Sequence, residues 1–283
     1  MTAAPRIRTA LSIAGTDSGG GAGMTADVRA FTACGVHGCV AVAAVTVQNS
    51  VGVTGFHAVP HAIVADQIRT VAGDIGVDAA KTGMLASSDI IATVAATCDE
   101  VGIGRSGRIP FVVDPVAASM HGDPLLTGDA LDALRSELLP RATLVTPNLD
   151  EIALLCGVDV VDDATAREAA RALHALGAGA ALVKGGHLAA YSGRSEPECT
   201  DLLFDGTDFV ELTGPRFTTE HTHGGGDSLA SAITAGLARG MGLLDAVRLG
   251  KAYVARAVEH AYPLGAGHGP VSSLWSVSDW ERT

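Results

Sequence analysis

The segment of this chain best equipped for chemistry runs from Gly224 to Asp227, directly ahead of an apolar stretch with helical periodicity. Gly224, Gly225 and Gly226 let the backbone approach an anion closely, and the first turn of the following helix offers unpaired N–H groups and a positive dipole end. Asp227 is therefore a candidate base for a substrate hydroxyl, with the glycine amides binding a transferring phosphoryl group. The alternative is a first-turn acid that only stabilises its helix, by about 0.5–2 kcal/mol.

Polar residues at other predicted strand ends suit a phosphate and a metal ion. Lys184 ends a buried strand beside glycine, which favours contact with phosphate; a strand-terminal lysine that reaches solvent is the alternative. Asn148 and Glu151 have the spacing of a helix capping box. Their other interpretation, with Asp114 as a second carboxylate, is a site for hydrated Mg²⁺ that bridges phosphates, because Mg²⁺ prefers oxygen ligands.

Two residues suit recognition of a flat heterocycle. Asp27 offers an acceptor and Gln48 a donor–acceptor pair, although an acid near a helix start and a polar loop residue explain them structurally. His221 and His223 alternate as in a strand, and we interpret them as loop residues rather than metal ligands. The stretch Ser18–Gly23 lacks the G-x-G-x-x-G spacing because Met24 stands where the last glycine should be, and no G-x-x-x-x-G-K-[ST] motif occurs, so a nucleotide would bind by another design.

The elements that must position these residues follow a βαβ rhythm, in which apolar runs of strand length alternate with amphipathic stretches of helix length. The predicted strands are Ala10–Ala14, Cys39–Thr46, Ala79–Lys81, Ile109–Asp114, Ala142–Val145 and Ala180–Lys184. The predicted helices between them are Ala22–Cys34, His61–Ala72, Ser88–Glu100, Asp129–Leu138, Leu149–Cys156 and Ala164–Leu176. Ligands in open α/β sheets bind outside the carboxyl ends of the strands, so one cleft is expected there.

An antiparallel hairpin is predicted after the parallel strands, because the Asp-Gly turn of residues 205–208 separates Thr200–Phe204 from Phe209–Leu212. Two helices and two surface loops complete the prediction: Asp227–Arg239, Leu243–Ala261, Gly186–Glu198 and Gly265–Pro270. No linker or shift in composition divides the chain of 283 residues, so we expect a single domain over residues 1–283.

Composition limits the partners. The net charge of -12 and the absence of a Lys/Arg run argue against nucleic acid and against an anionic membrane. The apolar runs fall well below the roughly 18 residues of a membrane span. Five scattered cysteines indicate neither a disulfide framework nor a zinc site. A small-molecule ligand and a cytoplasmic location are expected.

Nine short motifs follow one another through the chain: Ile13–Gly23, Ala26–Asp27, Val47–Asn49, Lys81–Leu85, Val113–Val116, Gly122–Leu126, Thr146–Leu149, Val183–His187 and His268–Pro270. In this order they closely resemble the hydroxymethylpyrimidine/phosphomethylpyrimidine kinases of thiamine biosynthesis, over nearly the whole chain. The resemblance implies an α/β, ribokinase-like fold with a central, mainly parallel sheet flanked by helices, an antiparallel edge hairpin and no separate lid domain. It also implies a homodimer.

The activity that this resemblance implies is transfer of the γ-phosphoryl group of ATP, with Mg²⁺, to 4-amino-5-hydroxymethyl-2-methylpyrimidine and then to its monophosphate. The implied site consists of Gly15, Asp27, Gln48 and Met84 around the pyrimidine, Asp114 and Glu151 at the metal, Lys184, Asn148 and Thr222 at the nucleotide, and Gly224, Gly225, Gly226 and Asp227 as anion hole and base.

The departures from the family pattern cluster near the phosphates. The family commonly reads T-H-G-T-G-C where this chain has Gly225 for the second Thr and Asp227 for the Cys, although Asp is the base more widely among ribokinase-like enzymes. Residues 119–122 replace A-K-S-G without its lysine, and Glu220 replaces a frequent Lys. Loss of two cations beside a phosphate site predicts weaker binding of a phosphorylated substrate, so the second phosphorylation should suffer most.

Two other functions stay open on the sequence alone. A pyridoxal kinase of the same fold also phosphorylates a hydroxymethyl group on a flat ring, although Gln48 and Met84 favour the pyrimidine. A member that has lost catalysis and binds a pyrimidine as a sensor is the second alternative.

Overall fold

Nine strands form one sheet in the computed structural model, which describes residues 6–117, 126, 128–185 and 198–277. The strands are β1 (Thr9–Gly15), β2 (His37–Asn49), β3 (Gly52–Ala58), β4 (Ala79–Thr82), β5 (Phe111–Val113), β6 (Leu144–Val145), β7 (Ala181–Val183), β8 (Glu198–Phe204) and β9 (Phe209–Pro215). Their spatial order is β3-β2-β1-β4-β5-β6-β7-β8-β9. The six strands from β2 to β7 in this order are parallel, and β3, β8 and β9 add antiparallel pairs at both edges.

Helices cover both faces of the sheet. They are α1 (Gly23–Ala33), α2 (His61–Asp74), α3 (Ser88–Val101), α4 (Gly128–Ala133), α5 (Leu149–Cys156), α6 (Asp163–Ala175), α7 (Gly225–Ala238) and α8 (Leu243–Glu259). Successive strand residues point to opposite faces, so Leu11 packs in the core beneath α2, α3 and α6 while Ala10 packs in the core beneath α1, α7 and α8. No helix in the described ranges has the length and apolar character needed to cross a membrane.

The predicted fold class is confirmed, and all six predicted parallel strands and the edge hairpin are present. Strand β3 was not predicted, because glycines at 52 and 55 interrupt an otherwise β-prone segment. It pairs antiparallel with β2, which is longer than expected and extends to Asn49. The predicted helix Asp129–Leu138 is α-helical only as far as Ala133 and continues as a π-helical turn. Most of the predicted loop at 186–198 lies outside the described residues.

Helix α7, which carries the candidate base, is the most enclosed helix among those described. Every residue from Ser228 to Ala238 is buried. Small residues permit this, because a Cβ on Gly236 would lie 3.0 Å from Ala246, and one on Gly250 would overlap Ile233 of α7. Helix α7 packs closely on α8 and on the sheet, and its first turn lies at the ends of the strands.

Candidate active site

Two glycine loops meet at the carboxyl ends of the central strands. Gly224 precedes α7 in the left-handed conformation, at φ 75°, which favours glycine. A Cβ at this position would overlap the carbonyl oxygen of Gly21, in the loop that leads into α1. Both constraints require glycine, so the backbone of the two loops is in direct contact beside the cleft.

The first turn of α7 has the unpaired amides expected of an anion hole. The N–H of Gly225 donates to the carbonyl of Thr222 at 3.0 Å, whereas the amides of Gly226 and Asp227 have no acceptor among the described residues. No side chain caps this helix. Two N–H groups at the positive end of a helix dipole are thus available to an anionic oxygen, and the exposed Thr222 side chain lies beside them.

Beneath this turn, Lys81 lies between two carboxylates. Its fully buried ammonium is 2.8 Å from Asp27 Oδ1 and 3.6 Å from Asp227 Oδ1. Asp27 also accepts hydrogen bonds from Ser12 at 2.5 Å and Ser231 at 2.6 Å. Asp27, expected at the pyrimidine pocket, is itself fully buried. A ligand would have to displace one of these donors to reach its carboxylate.

The surroundings of Asp227 oppose its ionised form. Burial raises the pKa of Asp227 to about 6, against the opposing effect of the Lys81 ammonium. The nearby carboxylates of Asp27 and Asp114 raise this pKa further, whereas a hydrogen bond from the Gly23 N–H lowers it. A carboxylate whose pKa lies near neutrality can both accept and release a proton at physiological pH, as a general base requires.

A second charged group lies on the far side of the anion hole. Lys184 Nζ is 3.4 Å from Asp114 Oδ1, which also accepts a hydrogen bond from Thr146 Oγ1 at 2.9 Å. A Cβ on Gly226 would lie 3.4 Å from the same ammonium, so Lys184 faces the hole. Burial opposes the charge of Lys184, but Asp114 and Glu151 raise its pKa. The Lys184 side chain therefore stays charged beside Gly226.

Asn148 and Glu151 form the predicted capping box. Glu151 N donates to Asn148 Oδ1 at 2.8 Å, and Asn148 N donates to Glu151 Oε2 at 2.7 Å. This structural role engages only one oxygen of the Glu151 carboxylate, Oε2. Burial raises its pKa to about 7; the Lys184 ammonium opposes this rise and the Asp114 carboxylate adds to it. A cation nearby would stabilise the ionised form of this buried carboxylate.

The expected pyrimidine-binding residues lie around the loop that ends β1. A Cβ on Gly15 would lie 3.3 Å from Met84 Sδ, so these two residues are adjacent. Gln48, at the end of β2, approaches a different neighbour, since its Nε2 is 3.4 Å from His223 Nε2. The structure brings Gly15 and Met84 together and places Gln48 beside the loop that leads into the anion hole.

The Asp17–His223 pair joins the two glycine loops and was not predicted to do so. His223 Nε2 lies 2.9 Å from Asp17 Oδ2, and the backbone amides of Gly19, Gly21 and Ala22 also donate to the Asp17 carboxylate. Burial would raise the pKa of Asp17, but the His223 contact and these amides hold it below its usual value. The pair fixes the loop before α1 against the loop before α7.

Sequence reasoning also missed Lys81, although a signal was available. The chain has only three lysines, at 81, 184 and 251, and Lys81 interrupts the apolar strand β4. A lysine in a buried strand requires a carboxylate partner, which the sequence pattern shows to be needed without identifying it.

Comparison with known proteins identifies the family of this site. A family model of phosphomethylpyrimidine kinase matches residues 17–272. The chain belongs to the phosphomethylpyrimidine kinase family. A hydroxymethylpyrimidine/phosphomethylpyrimidine kinase from Mycobacterium leprae (strain TN) is 57% identical over 269 residues, which cover 94% of this chain and 93% of the relative. The resemblance stated from the sequence is confirmed, and a phosphomethylpyrimidine kinase is a phosphotransferase, as predicted.

Solved structures with the same fold include kinases for two vitamins. Pyridoxal kinase from Bacillus subtilis, in an ADP complex, superposes with a TM-score of 0.83 at 32% identity and covers 95% of this chain and 98% of its own. Phosphomethylpyrimidine kinase from Clostridium difficile 630 superposes with a TM-score of 0.75 at 32% identity and covers 89% of this chain and 100% of its own. The fold is therefore shared by pyrimidine and pyridoxal kinases.

Proposed function

We propose that this member of the phosphomethylpyrimidine kinase family transfers the γ-phosphoryl group of ATP to the hydroxymethyl group of 4-amino-5-hydroxymethyl-2-methylpyrimidine, and to its monophosphate, in thiamine biosynthesis. The observation that carries the proposal is Asp227 at the first turn of α7, with a pKa near neutrality and two unpaired amides beside it. The relative that is 57% identical, which has both activities in its name, supports this substrate.

In this reaction the Asp227 carboxylate accepts the proton of the substrate hydroxyl while that oxygen attacks the γ-phosphorus of ATP. The bond from the γ-phosphorus to the bridging oxygen of ADP breaks, and ADP leaves with its negative charge. The unpaired amides of Gly226 and Asp227 and the Lys184 ammonium stabilise the charge on the transferring group. In this proposal Gly15, Gln48 and Met84 hold the ring, and Asn148 and Thr222 contact the nucleotide.

Mg²⁺ suits the carboxylates of this site. Asp114 and Glu151 are both buried beside Lys184, and burial together with the Asp114 carboxylate raises the pKa of Glu151. No group of three or more His, Cys, Asp and Glu able to hold a metal occurs within the described ranges. Two carboxylates instead match Mg²⁺, which keeps waters and takes phosphate oxygens as its remaining ligands. Bound Mg²⁺ would neutralise phosphate charge during transfer.

Pyridoxal is the second candidate substrate, because a pyridoxal kinase superposes on this chain with a TM-score of 0.83. Both substrates carry a hydroxymethyl group on a flat six-membered ring, so Asp227 and the anion hole serve either. Discrimination between the pyrimidine and pyridoxal depends on the ring pocket, where Gln48 presents an amide and Met84 an apolar thioether.

The decisive experiment supplies Mg²⁺ and ATP with the hydroxymethylpyrimidine, its monophosphate or pyridoxal, and follows products by mass spectrometry. We expect phosphorylation of the pyrimidine alcohol with a kcat/KM at least about 10-fold above that for pyridoxal, the scale of one or two good polar contacts. The monophosphate should react more slowly than the alcohol, because Glu220 replaces a cation. Faster turnover of pyridoxal would reassign the substrate, and absence of any product would favour a sensor.

The homodimer is part of the proposal, supported by an apolar face on the β2–β3 edge. Val45 and Val47 of β2, which are 50% and 62% exposed, lie on one face of the sheet, and exposed Val51 follows in the turn between β2 and β3. Exposed apolar side chains on an edge pair of strands are typical of an interface. Light scattering should give a dimer for the natural chain and a monomer for Val47→Asp. Val161→Asp, at an equally exposed valine outside this face, should leave the dimer intact.

A single domain and a cytoplasmic location complete the proposal. All described strands belong to one continuous sheet, which supports one domain. All five cysteines are free thiols, which suits a reducing compartment.

A further inference from the structure

Lys81 is a fully buried charged side chain that the proposed reaction does not use. It lies on β4, directly below the base. A buried ammonium is costly unless it is paired, so its retention here needs an explanation. The pair with Asp27 alone would satisfy it, yet the same ammonium also lies 3.6 Å from Asp227 Oδ1.

Three donors surround the Asp27 carboxylate. Ser12 of β1 donates to Oδ2, while Ser231 of α7 and Lys81 both donate to Oδ1. Ser231 is one helical turn after Asp227 on the same helix. These contacts fix the ammonium at one point beneath the first turn of α7, with contributions from β1, β4, α1 and α7.

We infer that Lys81 is a positioning residue for the base: its ammonium, anchored by Asp27, holds the carboxylate of Asp227 in place and supplies the positive charge that keeps this carboxylate able to accept a proton. Asp27 is then an anchor for Lys81 rather than a contact of the pyrimidine. This inference rests on the proposed role of Asp227 as the base.

The other groups around Asp227 do not replace Lys81. From the ends of β5 and β7, Asp114 acts as a further negative charge and Lys184 as a cation that is already paired with Asp114. From α1, Asp27 is negative and the N–H of Gly23 is a single neutral donor. Among the described residues, Lys81 is therefore the cation nearest to the base, and its loss would leave Asp27 and Asp227 as uncompensated carboxylates.

The test compares three variants: Lys81→Met, Asp27→Asn and the double variant that carries both substitutions. Thermal unfolding and the pH dependence of kcat from pH 5 to 9 are measured for each. Lys81→Met alone leaves Asp27 unpaired and should lower the melting temperature. The double variant removes that buried charge, so its melting temperature should return toward the wild-type value.

Turnover should not return with stability. We expect the double variant to have kcat at least about 100-fold below wild type at pH 7, the contribution of a positioned base. Its KM values for ATP and substrate should stay within about 3-fold of the wild-type values, since interactions that are equal in the ground state and the transition state are unaffected. The acid limb of kcat, expected at about pH 6 in the wild type, should move upward in Lys81→Met. In Asp27→Asn it should move downward, because a negative neighbour is removed while Lys81 stays.

Asp78→Asn is the matched control, because Asp78 is a mostly buried carboxylate at the opposite end of β4. It should lower stability and leave kcat and its pH profile unchanged. Recovery of both melting temperature and kcat in the double variant would show that Lys81 only compensates Asp27, and unchanged acid limbs would overturn the inference too. Lack of turnover in the wild type would instead refute the proposed function, so the two failures are distinguishable.

Discussion

Asp227→Asn is expected to lower kcat by about 10²- to 10⁴-fold, because an amide cannot accept the proton of the substrate hydroxyl. The shape of the first turn of α7 is kept, since Asn can still accept the hydrogen bond from Gly23. The amides of Gly226 and residue 227 continue to bind phosphate. Steady-state kinetics should therefore show lost turnover with nearly unchanged KM for ATP and substrate. A kcat within a few-fold of wild type would contradict the role of Asp227 as base.

The same substitution should stabilise the fold, whereas a substitution that lowers kcat by disrupting the structure would destabilise it. The pKa of Asp227 is raised in the folded state. The protonated carboxyl group therefore stabilises the fold fully below its unfolded pKa, 3.8, and this contribution is lost as the pH rises through about 6. At pH 8, Asn removes this penalty, and the free energy of unfolding should increase by about 1–3 kcal/mol. Near pH 4 the two proteins should be equally stable. Urea unfolding at both pH values checks this.

Lys184→Met is expected to have the next largest effect. The ammonium faces Gly226 and is the cation nearest to the anion hole on that side. Its loss should lower kcat by about 10²- to 10³-fold, as for removal of one donor to a transition-state anion. The KM for ATP should rise as well, because the same charge contacts phosphate in the ground state. Initial rates over a matrix of ATP and Mg²⁺ concentrations measure both effects.

Two comparisons make the Lys184 result specific. Lys184→Arg keeps the charge and should recover part of the activity, whereas a purely steric role would not distinguish Met from Arg. Loss of the cation should also raise the pKa of Glu151 further above about 7. The Lys184→Met variant should therefore reach its maximal turnover at a higher pH and a higher Mg²⁺ concentration than the wild type. Asp78→Asn, far from the site, should keep the wild-type KM for ATP. An unchanged KM and kcat in Lys184→Met would exclude phosphate contact.

The parallel part of the fold could be predicted because each strand is a short apolar run between amphipathic helices. Strand β3 could not, since its pairing depends on the tertiary contact of Thr46 with Phe56 and its neighbours rather than on local propensity. The change from α-helix to π-helical turn after Ala133 could not be predicted either, because Leu134–Leu138 keeps the apolar spacing of an α-helix.

The candidate site could be predicted where it depends on strand ends, which topology brings to one edge. Lys184, Asp114 and the first turn of α7 are close together for this reason. Contacts that need a specific side-chain direction were beyond the sequence. Asp27 and Lys81 lie far apart along the chain and meet only because α1 and α7 pack on the same face as the Lys81 side chain.

The contact between Asp17 and His223 has a consequence for the order of assembly, because it joins residues 206 positions apart. During synthesis the first strand and its glycine loop emerge long before the loop that completes the anion hole. The early βαβ units can pack first, as domains grow from the amino terminus, but such a distant contact forms late because its loop-closure cost is high. Nascent chains that end before α7 should therefore acquire much of the sheet without any capacity to bind phosphate.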